Sequence, residues 1–172
     1  MMTLWAKERK WVFLSLGITL LIVLFGIWTM FHMPSEQWHA REFKGLFKNY
    51  GSQARILLFA VLAYYVFKIM LQRRWLEQWL ILKRSAIVLS RLIRKLHTPL
   101  AVLAIGVIIL HIVGAFLYGF KLDFANVSGL IAGIVLLPVP LSGVFRYRGL
   151  DRKWHLRLGL IFAVLFLIHA FL

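Results

Sequence analysis

Residues 151–172 read DRKWHLRLGLIFAVLFLIHAFL. Nearly every side chain after Arg157 is apolar, as suits a segment in hydrocarbon, yet His155 and His169 stand in it fourteen positions apart. A polar ring in lipid is costly unless something satisfies it. Residues 96–116, LHTPLAVLAIGVIILHIVGAF, repeat the pattern: His97 and His111 keep the same interval in a second apolar run. At 100° per residue, fourteen residues turn about 1,400°, about 40° short of four turns, so both imidazoles of one helix leave the same face roughly 21 Å apart along its axis.

The rest of the chain fits a protein built for lipid. Of its 172 residues 62% are hydrophobic and 16% charged, and its mean hydropathy is +0.82, which excludes a soluble globular protein. The expectation is an all-α, multi-pass integral membrane protein of the cell (plasma) membrane, with residues 1–172 forming a single helical bundle. The absence of cysteine removes disulfides, iron-sulfur clusters, thiolate zinc sites and covalent haem attachment together. The first apolar run, WVFLSLGITLLIVLFGIWTMF, follows AKERK. It is too long for the core of a secretory signal and no small-x-small cleavage site follows, so it reads as a retained span.

Hydropathy predicts five spans, at 11–32, 54–71, 98–118, 127–145 and 156–172, each close to the length a bilayer requires. An odd number puts the termini on opposite sides. Sixteen of the 21 basic residues fall in segments sharing a side with the N-terminus: Lys7, Arg9 and Lys10, eight between Lys68 and Lys95, and Arg146, Arg148, Arg152, Lys153 and Arg157. Only Arg41, Lys44, Lys48, Arg55 and Lys121 fall on the other side. The positive-inside rule therefore places the N-terminus in the cytoplasm and Leu172 outside. On this reading the net charge of +15 reports orientation and contact with the lipid bilayer, with no nucleic acid as partner. The stretch QRRWLEQWLILKRSAIVLSRLIRKL, 72–96, is predicted to be an amphipathic interfacial helix on the inner surface, or one continuous with a neighbouring span. The segment HMPSEQWHAREFKGLFKNYGSQA, 32–54, reads either as a short surface helix or as a docking lip.

The third and fifth spans are separated by one span and so run parallel. His97 then lies level with His155 at the inner side, and His111 with His169 near the outer side. Two facing imidazoles at each of two depths, with neither carboxylate nor thiolate beside them, match the axial ligands of two b-type haems. The face between the histidines carries Ala101, Ala104 and Ile108 on one helix and Gly159, Phe162, Ala163 and Phe166 on the other. Small residues leave room for a flat macrocycle, and Phe162 and Phe166 would fill the layer between two haems. The same small residues also serve ordinary helix packing. Arg94, Lys95, Lys153 and Arg157 surround the inner level, where haem propionates take positive partners.

The doubled histidine interval on two parallel helices resembles the haem-binding core of the ferric reductase and NADPH oxidase-like transmembrane family, and is similar to the arrangement in respiratory cytochrome b. The resemblance covers residues 97–172. It implies single-electron transfer across the bilayer, with His97 and His155 holding the inner haem iron and His111 and His169 the outer. Fused ferric reductases carry a flavin and nicotinamide domain after the bundle. These 172 residues contain none, so electrons are expected to enter from a redox partner protein or a membrane quinol, within a larger membrane complex or as a small quinol-dependent or ferric reductase-like oxidoreductase.

Two other classes remain open from the residues alone. One is a non-redox membrane scaffold or assembly subunit whose histidines only hydrogen-bond; the other is a histidine-based metal-ion carrier. His32 and His39, at the outer end of the first span, are candidates for a quinone or partner site. Asp123 and Asp151 read as turn or capping residues. Gly129 and Gly133 form a G-x-x-x-G packing motif, and Pro138 and Pro140 should kink or end the fourth span. No nucleophile with a base, carboxylate pair or phosphate loop is visible in the sequence, so any redox chemistry falls to a cofactor.

Overall fold

The computed structural model describes residues 2–147 and 152–172; Arg148 and Asp151 lie outside the described residues. Among the described residues six α-helices follow in order: α1 (Met2–Phe31), α2 (Arg41–Gln72), α3 (Leu80–Gly119), α4 (Phe124–Leu136), α5 (Pro138–Tyr147) and α6 (Arg152–Phe171), with a 3-10 turn at Ser35–His39. No strand occurs among the described residues. Among the described residues five stretches are long and apolar enough to cross a bilayer: Lys10–Phe31, Arg41–Gln72, Leu80–Gly119, Phe124–Gly143 and Lys153–Phe171. The chain is a multi-pass helical membrane protein, its outward-facing side chains suited to lipid contact.

Two helices outrun their apolar cores. α2 begins at Arg41 rather than near residue 54, because Phe43, Phe47, Ala54 and Leu58 continue one buried stripe at helical spacing while Arg41, Glu42, Lys44 and Lys48 face away. α3 is 40 residues long and joins the basic segment to the third span without a break. The stretch expected as interfacial is therefore continuous with a span, and only the turn at 73–79 separates it from α2. Pro99 sits inside α3, where it lacks the N–H that would reach the Lys95 carbonyl. Between α4 and α5 the interruption is Leu137, held before Pro138.

Contacts divide the chain into two compact units, Met1–Gly119 and Phe120–Leu172. In the first, α3 packs against both α1 and α2. α1 and α3 run parallel, with Gly106 against Thr19 and Val23, Gly26 against Leu110, and Gly114 against Met30. α2 and α3 are antiparallel, with Phe47 beside Gly114 and Tyr64 beside His97. Without a side chain at 26, 106 or 114 the backbones approach closely, which is how helices gain packing energy in a solvent as apolar as their own surfaces. Met30, Phe43, Phe47 and Leu110 form the core of this unit.

The connection from α1 to α2 is tied down at both ends. Trp38 Nε1 donates to the Met30 carbonyl at 3.0 Å, and His39 Nδ1 donates to the Tyr118 carbonyl at 2.8 Å, just before Gly119. At that end of α3, Gly119 adopts φ +113°, a left-handed conformation that closes the helix and suits glycine. In the second unit, Asp123 caps α4 by accepting from the Asn126 N–H at 2.8 Å. α4 and α5 together form one limb antiparallel to α6: the start of α4 meets His169 and α5 meets His155.

Candidate functional site

His97 and His111 lie on α3, and His155 and His169 on α6; all four are half-buried. Their positions follow from helix phase, since an interval near four turns returns each ring to the face that packs on its antiparallel neighbour. What that neighbour offers differs from ring to ring.

His111 Nδ1 stands 2.8 Å from the Phe47 carbonyl on α2. A carbonyl only accepts, so Nδ1 carries the proton and, in the neutral ring, Nε2 bears the lone pair. The ring lies against Gly51, where an added Cβ would fall 2.9 Å from both Nδ1 and Cε1. The Phe47 ring flanks it at 5.9 Å. His97, toward the other end of α3, has its Nδ1 shielded from solvent and its ring 6.0 Å from that of Tyr64.

On α6 the same chemistry arises through serines. His155 Nδ1 is 3.1 Å from Ser142 Oγ and 3.2 Å from the Val139 carbonyl. Ser142 Oγ itself donates to Val139 O at 2.6 Å. His169 Nδ1 is 3.3 Å from Ser128 Oγ, which donates to Ala125 O at 3.1 Å. A hydroxyl has one hydrogen, and both serines give it to a backbone carbonyl. With the hydroxyl hydrogen on that carbonyl the serine oxygen accepts from imidazole, which makes Nδ1 the donor and leaves the lone pair on Nε2; at His155 the Val139 carbonyl, which can only accept, fixes this arrangement by itself. Glycines sit behind these rings as well. A Cβ on Gly129 would come within 2.7 Å of His169 Cε1, and one on Gly143 within 3.5 Å of His155 Cε1 and Nδ1.

The remaining expected residues are distributed along the same helices. Ala101 is half-buried and Ala104 fully buried on α3. A Cβ on Gly159, one turn beyond His155, would meet no heavy atom within 4 Å. Phe162 and Phe166 are buried and stacked, with centroids 6.2 Å apart. Arg94, Lys95, Lys153 and Arg157 are exposed, Arg157 lying over the Trp154 ring. His32 bonds back to the Trp28 carbonyl at 2.8 Å, and its ring lies tilted against that of Trp28, with centroids 4.3 Å apart. His39 belongs to the clasp onto Tyr118.

The donor set is one that haem could use. A metal held by protein alone generally takes three or four side-chain ligands, and among the described residues no three of His, Cys, Asp and Glu converge. Haem iron takes four nitrogens from the porphyrin and needs only axial imidazoles from the chain. A neutral imidazole whose Nδ1–H is pinned to an acceptor is the form in which such ligands are held.

Sequence reasoning passed over the acceptors: the Phe47 carbonyl beside Gly51, and the serines at 128 and 142. A signal for the serines exists, because Ser-Gly occurs at 128–129 and again at 142–143, the interval of the histidines themselves. Gly129 carries a further role beyond its packing motif, since it receives the His169 ring. No protein-family model matches the chain, and no curated protein or solved structure is significantly similar to it, so the functional reading rests on these residues.

Proposed function

We propose that the protein is a di-haem membrane cytochrome that carries electrons across the bilayer, with His97 and His155 ligating an inner b-type haem and His111 and His169 an outer one. The observation that carries this reading is the repeated fourteen-residue interval of half-buried imidazoles on α3 and α6, with Nδ1 of His111 and His155 facing carbonyls that can only accept, which leaves Nε2 as the lone-pair nitrogen there. Ligation through Nε2 needs Nδ1 to carry the proton, the form these contacts supply. What sets these rings apart from His32 and His39, which make the same Nδ1–carbonyl bond, is the fourteen-residue interval repeated on α3 and α6.

When bound, haem supplies reversible one-electron exchange. The chain's own residues do the rest. Phe47, Ser128, Ser142 and Val139 orient the imidazoles; Gly51, Gly129 and Gly143 let the rings approach the neighbouring backbone; Phe162 and Phe166 occupy the apolar layer between the two levels of α6. Ala101 and Gly159 would be the small residues beside the haem faces, whereas Ala104 is fully covered by the protein itself. Arg94, Lys95, Lys153 and Arg157 are the cations offered to the propionates of the inner haem. The basic excess on the N-terminal side supports a cytoplasmic N-terminus, and a plasma membrane is the setting that reading implies. Electrons enter from a redox partner protein or a membrane quinol, with the chain acting as a membrane subunit of a larger complex or as a small reductase.

A reduced-minus-oxidised visible spectrum of the full chain, purified from haem-replete membranes, tests this. Two b-type haems per chain are expected. Colourless protein would sink the reading and leave the scaffold class standing. The pairing has its own test: His111→Ala should remove the outer haem and spare the inner, and His97→Ala the reverse. Loss of one and the same chromophore in both variants contradicts the assignment.

A further inference from the structure

The Phe120–Leu172 unit uses one device twice. Ser128–Gly129 and Ser142–Gly143 are fourteen residues apart on the α4–α5 limb, and the histidines they meet, His169 and His155, are fourteen apart on the antiparallel α6. The interval holds even though the limb is interrupted at Leu137. In both copies the glycine faces the imidazole edge, and the serine hydroxyl spends its proton on the carbonyl three residues back while its oxygen lies 3.1–3.3 Å from Nδ1. Packing alone requires a small residue at these places. It requires neither a hydroxyl nor a hydroxyl already committed as donor.

Resting on the haem reading above, we infer that Ser128 and Ser142 are positioning residues that tune the two haems separately, each acting through the histidine it touches. An Nδ1–H donating to oxygen makes Nε2 more basic, and a hydroxyl whose own proton is bound to a carbonyl is a better acceptor than a free one. A more basic imidazole stabilises ferric over ferrous iron, so each serine lowers the midpoint potential of its own haem. Ser128 acts on the haem ligated by His169, and Ser142 on that ligated by His155. At His155 the Val139 carbonyl, already 3.2 Å from Nδ1, takes over part of this role when the hydroxyl is lost.

Redox titration of the full chain, followed in the visible α-band and by low-temperature electron paramagnetic resonance, reads this directly. Ser128→Ala should shift upward only the component that His169→Ala removes. Ser142→Ala should shift upward only the component that His155→Ala removes, by a smaller step. Ser→Thr at either position keeps the hydroxyl and should restore the wild-type potential and g-values. Where alanine strips the haem, Ser→Cys offers a poorer acceptor of similar size and should shift the same component upward. Unchanged potentials in both alanine variants at full haem content overturn the inference, as does a threonine variant that shifts as far as alanine, or a single serine variant that moves both components together. A wild-type chain without haem overturns the reading beneath it, and this inference falls with it.

Discussion

Gly51 shows how little room the site leaves at a single residue. A methyl group there would fall 2.9 Å from Nδ1 and Cε1 of His111, closer than carbon and nitrogen tolerate without a shift. The obstacle is a ring held by a 2.8 Å bond to the Phe47 carbonyl, so it cannot swing aside without giving up that bond. Gly51→Ala should therefore destabilise the chain by about 1–3 kcal/mol, the usual cost of overpacking, and, on the di-haem proposal, reduce occupancy of the outer haem. Gly45 is the internal control. It lies on the same helix with no heavy atom within 4 Å of a built Cβ, so Gly45→Ala should leave haem content unchanged and raise stability slightly through better helix propensity. Haem per chain and thermal unfolding in detergent measure both. The four histidines and their common interval were legible in the sequence because a polar residue in an apolar run stands out. The Phe47 carbonyl was not, because a backbone acceptor has no letter of its own, and its pairing with His111 exists only once the register of α2 against α3 is set.

At the level of elements, apolar runs marked where the chain crosses the bilayer but not where its helices begin. Averaged hydropathy falls below threshold among Arg41, Lys44 and Lys48, which puts the second span's start near residue 54, although Phe47 and Phe43 carry the buried stripe of α2 about two and three turns further back. The same averaging separated the basic segment from the third span, whereas α3 runs through both for about 60 Å at 1.5 Å per residue, with Ala86 buried before the apolar core begins. The contact between α1 and α3 depends on residues that hydropathy ignores. Gly106 faces Thr19 and Val23, and Gly26 faces Leu110, so each helix offers a notch where the other has bulk. Gly106→Leu would drive a branched side chain into Thr19 and force α1 away from α3. Loss of close contact along this interface should cost more than Gly51→Ala, and the expected result is a chain that is degraded in membranes or unfolds at markedly lower temperature. Gly17→Leu on α1, where a Cβ meets nothing within 4 Å, should be tolerated. Expression level and thermal midpoint distinguish the two, and equal tolerance would refute this account of the interface.

For the whole molecule, the side of the membrane from which each end is reached decides how an electron conduit could work, and the chain's composition makes that measurable. It has no cysteine, so any cysteine introduced is the only thiol. Two exposed serines bracket α2: Ser35 in the 3-10 turn before it and Ser85 near the start of α3, just beyond the turn that follows it. Neither serves a histidine or the glycine contacts between helices, so the substitutions leave the fold and the four histidines undisturbed. Lys68, Arg73, Arg74, Lys83, Arg84, Arg91, Arg94 and Lys95 surround Ser85 along the sequence, while Arg41, Lys44 and Lys48 follow Ser35 with Glu36 and Glu42 among them. Positively charged connections are retained on the cytoplasmic side, and the larger cluster also gains from the anionic inner leaflet. A membrane-impermeant maleimide applied to intact cells should therefore label the Ser35→Cys variant and spare the Ser85→Cys variant, which reacts only after permeabilisation. The opposite pattern would invert the proposed topology. Labelling of both in intact cells would show that α2 does not separate the two compartments.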